Sequence, residues 1–562
     1  MYFPDAGRFR TRPPVTIENS RYIRENQLRC ERNLSLRFAN SKSERQQAYM
    51  KIDWEAFKRA RRARDERFDG KFFVGCTSTK IYCRPSCNVP MIQDKNVRYF
   101  PNAAAAEEAG YRPCLRCRPE CAPGSPAWLG TSSTISRALR LIAESGLEDG
   151  GVESLAGRLG IGSRHLRRLF LRHVGATPSA VAQTRRLHFA KKLIDETKLP
   201  MNQVAVAAGF GCVRRFNAAI QKTFHRTPTH IRGLVRQTGV TRENQYHFRL
   251  NFRPPYDWQA MLAFIAPRAT PGIELVEGGS YHRSISLGGS DGWFEVKFDQ
   301  QNSCLEARIQ FADPCSLFFI VERIRGMFDL NADSTEIART LSSDPMLAKL
   351  VKAAPGLRIP GCWDALELSV RAILGQQISV KGATTYAGRL VAMFGRPIAG
   401  PAEITHVFPT ADVLARADLQ KIGITRSRAE TIRDLARAVR EGSISFNGVL
   451  DAESFLTRLR QIRGIGEWTA QYIAMRALGE PNAFPAGDLG LLRASGATNS
   501  RALQERAEMW SPWRAYAAMY LWKNLAQGAS RRKLASTTQT IRANGTQSVQ
   551  RQMRATLAAE NV

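Results

Sequence analysis

Cys83-Arg-Pro-Ser-Cys87, then twenty-six residues, then Cys114-Leu-Arg-Cys117: this stretch decides how the amino-terminal part of the chain folds. Two close cysteine pairs at that separation predict a zinc site. Four soft thiolates surround one ion tetrahedrally, each pair closes a short chelate, and the long loop brings in the second arm. Two disulfides are the competing reading, and they require an oxidising compartment. No signal peptide is recognisable, and eleven cysteines, an odd number, fit reduced thiols plus a metal better than a disulfide framework. Arginines and prolines crowd the ligands, which suggests a module facing phosphate.

Composition points the same way. A chain of 562 residues implies roughly three or four domains. Its 82 Lys plus Arg against 50 Asp plus Glu give a net charge of +32, and the pI is near 10.3. That excess disfavours an enzyme of small neutral substrates and makes nucleic acid the leading partner. A basic membrane-surface protein is the runner-up, yet no apolar run approaches the ~20 residues of a spanning helix. The expectation is an intracellular, nucleoid-associated cytoplasmic protein without a membrane partner. The fold class expected is multi-domain, mainly α with α+β parts.

Residues 1–49 form a basic leader rich in Arg, Asn, Ser and Gln, for which disorder is expected. Residues 50–123 are read as the cysteine module. Trp54, Phe57, Ala60 and Ala63 have helical spacing, Phe72–Val74 and Asn96–Phe100 read as strands, and Ala103–Ala109 as a short helix ended by Gly110. A purely structural zinc ribbon explains these features. The strings FVGCTSTKIYCRPSC and GYRPCLRCRP, however, resemble the zinc domain of Ada-type methylphosphotriester repair proteins across the whole module. The resemblance implies that Cys83, first of the tetrad, is both ligand and sacrificial methyl acceptor, with Cys87, Cys114 and Cys117 as the other ligands. Cys76 and Cys121 lie outside the pattern.

Pro123 to Pro126 read as a linker, and residues 131–237 as an all-α DNA-binding domain. Val152 to Phe170 reads as helix, glycine-containing turn and second helix, and the same grammar returns at Met201 to Phe210 and beyond, an internal repeat. Two copies joined by a helix from about Pro178 to Glu196, closed by Phe224-His-Arg-Thr-Pro228, resemble the AraC-type DNA-binding domain. Arg164, His165, Arg167 and Arg168 in the first unit, and Arg214 and Arg215 in the second, are the candidate groove and phosphate contacts. A solvated surface arginine is the bland reading of each one alone.

Residues 247–355 change style. Tyr281–Leu287, Trp293–Phe298 and Cys304–Phe311 alternate apolar with polar, Asp291-Gly292 signals a hairpin between the first two, and Leu317–Phe328 reads as a helix. The opening RPPYDWQAMLAFIAPRA together with this small antiparallel sheet resembles the amino-terminal domain of AlkA-type DNA glycosylases. None of its residues stands out as chemically poised.

Residues 356–528 are expected to be all-α, with a helix over Ala365–Gln376. Leu456 to Ala470 reads helix, Gly464-Ile465-Gly466 hairpin, helix. Such glycines let backbone N–H groups approach a phosphate, and the carbonyls of so tight a turn offer a site for a monovalent cation. Twenty-two residues beyond Gly466, the loop Phe484-Pro-Ala-Gly-Asp488-Leu-Gly490 ends in a carboxylate. A helix N-cap is the plain reading of Asp488. Hairpin plus loop plus Asp resembles the helix-hairpin-helix glycosylases, the AlkA-type branch specifically. By that resemblance Asp488 is the catalytic carboxylate, Trp468, Tyr472 and Trp522 are the base pocket, and Gly464 and Gly466 bind DNA.

Two departures from the wider superfamily matter. Bifunctional relatives place a Schiff-base lysine where this chain has Trp468, so lyase activity is not expected. No cysteine follows Cys362, which excludes the iron–sulfur cluster of the endonuclease branch. Gln377 stands where some AlkA-type members carry an intercalating leucine, leaving the wedge open. The Pro-Cys-His-Arg motif of O-6-alkylguanine transferases is absent. Residues 529–562 are read as a disordered basic tail.

Together these resemblances imply a fused alkylation-response protein: methyl sensor, promoter-binding activator and monofunctional 3-methyladenine glycosylase. Zinc is its cofactor, double-stranded DNA its partner, and RNA polymerase a further partner if it activates transcription. The alternative is a transcriptional regulator with structural zinc and a catalytically silent glycosylase-like domain. A third reading is a glycosylase merely tethered by binding modules. Methylating one of four thiolates takes the zinc centre from about −2 to nearer −1, which favours a phosphate backbone.

Overall fold

The computed structural model describes residues 54–123, 133–145, 147, 151–234, 243–401, 403–446 and 452–528. The expected leader 1–49, most of the Pro123–Pro126 linker and the expected tail 529–562 lie outside these residues. Helix α1 is Trp54–Ala63, the helix predicted from the Trp54, Phe57, Ala60, Ala63 spacing. Four strands follow, β1 (Phe73–Cys76), β2 (Ile81–Cys83), β3 (Val97–Phe100) and β4 (Arg112–Pro113), with helix α2 (Ala103–Glu108) between the last two. Their order is β3-β1-β2-β4. Only the β2–β4 pair is parallel, with Tyr82 opposite Pro113. That pairing explains how pairs far apart in sequence meet. Cys83 ends β2, Cys114 follows β4, and Cys114 N–H donates to Tyr82 O at 3.0 Å.

The next region is helical: α3 (Ser133–Ser145), α4 (Gly151–Arg158), α5 (Ser163–His173), α6 (Pro178–Glu196), α7 (Met201–Ala207), α8 (Val213–Phe224) and α9 (Pro228–Gly233). Helix α6 has the limits expected of it, set by Pro178 at its first position and a Thr177 hydroxyl cap on Ala180 N. Gly160 (φ +67°) and Gly209 (φ +76°) make the two turns between paired helices.

A five-stranded antiparallel sheet comes next, order β5-β9-β8-β7-β6, from β5 (Gln245–Asn251), β6 (Glu274–Glu277), β7 (Ser280–Leu287), β8 (Ser290–Asp299) and β9 (Cys304–Phe311), with α10 (Trp258–Ile265) after β5 and α11 (Leu317–Met327) after β9. The hairpin signal at Asp291-Gly292 is corrected by the structure. Both residues lie within β8, opposite Ser286 and Ile285. The turn is three residues earlier, at Gly288 (φ +60°) and Gly289 (φ +82°), the left-handed pair that a two-residue hairpin needs. Gly292 is instead a packing glycine, since a Cβ there would meet Gln310 O at 2.1 Å. Strands β5 and β6 were not marked by alternation.

The remaining helices are α12 (Ser334–Leu341), α13 (Pro345–Ala353), α14 (Ala365–Leu374), α15 (Val380–Phe394), α16 (Ala411–Arg416), α17 (Arg426–Arg440), α18 (Ala452–Arg460), α19 (Glu467–Ala477), α20 (Leu489–Ser495) and α21 (Ser500–Ala507); α22 spans 514–528. Apolar packing runs across the borders drawn from sequence. The first helical pair shares a core with α2 and the cysteine sheet, the second pair shares one with the five-stranded sheet, and Ile337, Leu341, Leu347 and Val351 belong to the core of the last helices. The sheet is fixed to α14 by buried ions: Arg371 pairs with Glu274 at 2.8 Å and Glu367 at 3.2 Å, and Arg283 pairs with both carboxylates. Burial raises the Glu274 carboxyl, but Arg371 and Arg283 outweigh it and hold it down to about 2.

Candidate metal centre and carboxylate site

The four sulfurs of Cys83, Cys87, Cys114 and Cys117 lie within 4.8 Å of one another, and all four residues are buried. Thiolates at about 2.3 Å from one ion fit that spacing. Arg84 N–H donates to Cys117 Sγ at 3.4 Å, stabilising charge on sulfur. Cys76 and Cys121 stay outside the cluster, as expected.

In the helical pairs, sequence spacing sorts the faces. Leu166 and Phe170 of α5, and Phe216, Ile220 and Phe224 of α8, are buried. Arg164, His165, Arg167 and Arg168 on α5, with Arg214 and Arg215 on α8, are all exposed. Arg167 bonds Glu153 at 3.0 Å, and Arg168 donates to His165 Nδ1 at 3.0 Å.

The second centre is built on α18, the hairpin and α19. Gly464 has φ +92°, and a Cβ there would meet Thr431 Oγ1 at 2.2 Å. Gly466 has open space around its Cβ direction and starts α19 without a side-chain cap, leaving the first amide N–H groups for an external acceptor. The turn carbonyls proposed for a cation have protein donors: Thr431 Oγ1 donates to Arg463 O at 2.9 Å and Gln376 Nε2 to Gly464 O at 2.9 Å. Gln376 also reaches Thr469 Oγ1 at 3.0 Å. It therefore ties the end of α14 to the hairpin, a role that sequence reading missed because it attended to the neighbouring Gln377. Gln377 is exposed at the tip with φ +57°. We expect Gly464→Ala to cost about 1–3 kcal/mol of stability and Gly466→Ala less than about 0.5, compared by thermal melting.

Asp488 caps α20, accepting from Leu491 N at 2.9 Å. Its carboxylate also lies between two indoles: Trp468 Nε1 donates to Oδ2 at 2.8 Å and Trp522 Nε1 to Oδ1 at 2.9 Å. The same carboxylate thus caps a helix and accepts from two indoles. Trp468 and Tyr472 are one turn apart on α19 and stack with centroids 5.3 Å apart and planes at 8°. Tyr472 meets Trp522 edge-on at 6.3 Å. The structure brings together all four residues expected here. The loop before Asp488 is held to α19 by Phe484 N–H on Gln471 Oε1, 3.1 Å.

Beneath the aromatics lies a cationic floor that sequence did not reveal. Arg476 donates to the Tyr472 hydroxyl at 2.6 Å and sits 5.1 Å from the Phe264 ring centroid; Arg268 lies 4.0 Å over the same ring. Phe264 and Arg268 come from the opening stretch of the sheet region, to which no role was given. Burial raises the Tyr472 phenol, but the Arg476 and Arg268 guanidiniums bring it below the ordinary tyrosine value. Only the i, i+4 spacing of Tyr472 and Arg476 on one helix could have signalled the contact.

Four family models match the chain: the metal binding domain of Ada over residues 56–120, a helix-turn-helix domain over 155–233, the AlkA N-terminal domain over 247–364 and the HhH-GPD superfamily of base excision DNA repair proteins over 370–514. The "Probable bifunctional transcriptional activator/DNA repair enzyme AlkA" of Mycobacterium tuberculosis is 39% identical over 485 residues, covering 85% of this chain and 97% of the relative. The DNA-3-methyladenine glycosylase 2 of Escherichia coli is 33% identical over 279 residues, 49% of this chain and 96% of that protein. The bifunctional transcriptional activator/DNA repair enzyme Ada of E. coli is 38% identical over 124 residues, 22% of this chain and 34% of that protein. The four-cysteine cluster within the Ada-type domain is a zinc site. No helix among the described residues is long and apolar enough to cross a membrane.

Proposed function

The chain belongs to the family of bifunctional transcriptional activator/DNA repair enzymes that join an Ada-type zinc domain and a helix-turn-helix domain to an AlkA-type glycosylase, and we propose that it excises alkylated bases such as 3-methyladenine from double-stranded DNA by hydrolysis. The observation that carries this reading is the Asp488 carboxylate held between two indole N–H groups on the wall of an aromatic cluster. A base alkylated on a ring nitrogen is already cationic and leaves with little acid help. What needs stabilising is positive charge on the sugar, and a fixed anion beside the anomeric carbon does that and orients the incoming water. The flipped base stacks on aromatic faces from Trp468, Tyr472 and Trp522. The hairpin N–H groups at Gly464 and Gly466 hold the backbone, and Gln377, exposed nearby, contacts the DNA. Trp468, where a lysine would be needed, makes the enzyme monofunctional.

At the other centre Cys83 is the methyl acceptor, with Cys87, Cys114 and Cys117 completing the ligand set. Zinc keeps the Cys83 sulfur deprotonated at neutral pH. That sulfur attacks the methyl carbon of a methylphosphotriester, the C–O bond breaks, and the phosphodiester oxygen leaves with the electron pair; no proton moves. The arginines of α5 and α8 read promoter DNA, and the smaller negative charge after methylation strengthens that binding. RNA polymerase is then the partner of the bound activator.

Two measurements test the reading. Incubation with methylated duplex DNA releases free 3-methyladenine, and mass spectrometry of the recovered protein finds one added methyl on the peptide containing Cys83. A protein that releases no base sinks the excision reading. Trp522→Phe, which keeps a ring but removes one donor to Asp488, should slow excision about tenfold; an unchanged single-turnover rate would show that the indole does not position the carboxylate.

A further inference from the structure

Between the zinc loop and the helix carrying Trp522 runs a chain of buried polar contacts. Arg84 and Ser86 lie between the ligands Cys83 and Cys87, and both bind the Asp69 carboxylate: Ser86 Oγ at 2.7 Å, Ser86 N at 3.2 Å and Arg84 Nη1 at 3.0 Å. Asp69 is 3% exposed. Its backbone oxygen accepts from Arg253 Nε at 2.9 Å, and Arg253, 1% exposed, also donates to Pro123 O at 3.2 Å and Asn331 O at 2.7 Å. Arg358, likewise 1% exposed, donates to Arg253 O and Asp329 O, both at 2.6 Å. Asp329 Oδ2 accepts from Tyr516 at 2.7 Å, and Tyr516 is on α22, which carries Trp522.

The joint has little slack. A Cβ on Gly70, whose φ is +76°, would meet Pro123 O at 1.8 Å and Arg253 Nη2 at 3.0 Å. Beside it, Lys71 pairs with Asp333 at 2.6 Å, the two side chains 11% and 3% exposed. Buried charges held this way are costly to leave unpaired. If the Cys83–Cys87 loop loosens, Asp69 loses its three donors and must move toward water. Its carbonyl then leaves Arg253, and the loss passes to Arg358 and Asp329.

We infer that the zinc loop and α22 are coupled through Asp69, Arg253 and Arg358, so that metal loading of the cysteine cluster sets the rigidity of the helix that presents Trp522 to Asp488. The zinc module is therefore a structural part of the carboxylate site as well as a separate reactive centre.

Hydrogen–deuterium exchange of the full chain tests this, with zinc bound, removed by chelation, and restored. Without zinc, amides of 327–333 and 514–528 should exchange about tenfold faster, while Arg426–Arg440, off the route, stays unchanged. Restoring zinc should reverse the effect. Ser86→Ala, which removes one donor without touching the helices, should speed exchange in 514–528 about threefold with zinc bound. Arg253→Met should make exchange in 514–528 insensitive to zinc; if that variant does not fold, Ser86→Ala decides. Unchanged exchange in 514–528 after zinc loss, or equal acceleration in Arg426–Arg440, overturns the coupling. A parallel activity arm rests on the excision reading above: zinc loss should slow 3-methyladenine release severalfold. A zinc-loaded protein that releases no base sinks that reading alone, and the exchange comparison still decides this one.

Discussion

Asp488→Asn is expected to slow release of 3-methyladenine from methylated DNA by about two to three orders of magnitude under single-turnover conditions. The substitution nearly preserves shape but removes the anion that we propose stabilises the sugar cation. It also mismatches its surroundings. Trp468 Nε1, Trp522 Nε1 and Leu491 N all donate to this side chain, and an amide offers one accepting oxygen and one donating nitrogen. One indole N–H is left facing a donor, at a cost of about 1–3 kcal/mol. Melting of the variant therefore has to accompany the rate, so that lost chemistry is separated from lost fold. Equal release by wild type and variant would contradict the catalytic assignment of Asp488, whereas no release by either would favour the regulator with a silent glycosylase-like domain.

Cys83→Ser should abolish methyl acceptance altogether: after exposure to DNA carrying methylphosphotriesters, no peptide gains a methyl. A hydroxyl in this position is neither a soft ligand nor an anion at neutral pH, so zinc affinity should fall by at least about a hundredfold. Cys87→Ser also weakens zinc but keeps the Cys83 sulfur. Mapping the methyl in wild type thus matters as much as the variant. A methyl on Cys87, Cys114 or Cys117 would reassign the nucleophile while leaving the zinc site intact. Promoter affinity measured at several salt concentrations, before and after methylation, tests the charge argument; an unchanged affinity would leave the glycosylase tethered but unregulated.

The ligand tetrad, the repeated helical pairs with exposed arginines, and the hairpin followed by Asp488 were legible because each is a local pattern. Chelate spacing, helical period and glycine placement act over a few residues, so composition in that window carries the information. The turn at Gly288-Gly289 shows the limit even locally: two glycine-containing signals competed within five residues, and only the pairing of β8 with Gln310 on β9 decided which one turns.

What the sequence by itself determined is therefore the inventory: four thiolates, two helical pairs with exposed arginines, one carboxylate and three aromatics, with family resemblance suggesting their roles. The tertiary structure decided their relations. Trp522 reaches Asp488 across 34 positions and Gln376 reaches the hairpin across 88, and Arg253 joins Asp69 across 184. Contacts at such separations arise when packed elements bring donors to acceptors that are distant in sequence. No window of the sequence contains both ends of these bonds, so their geometry is a property of the fold.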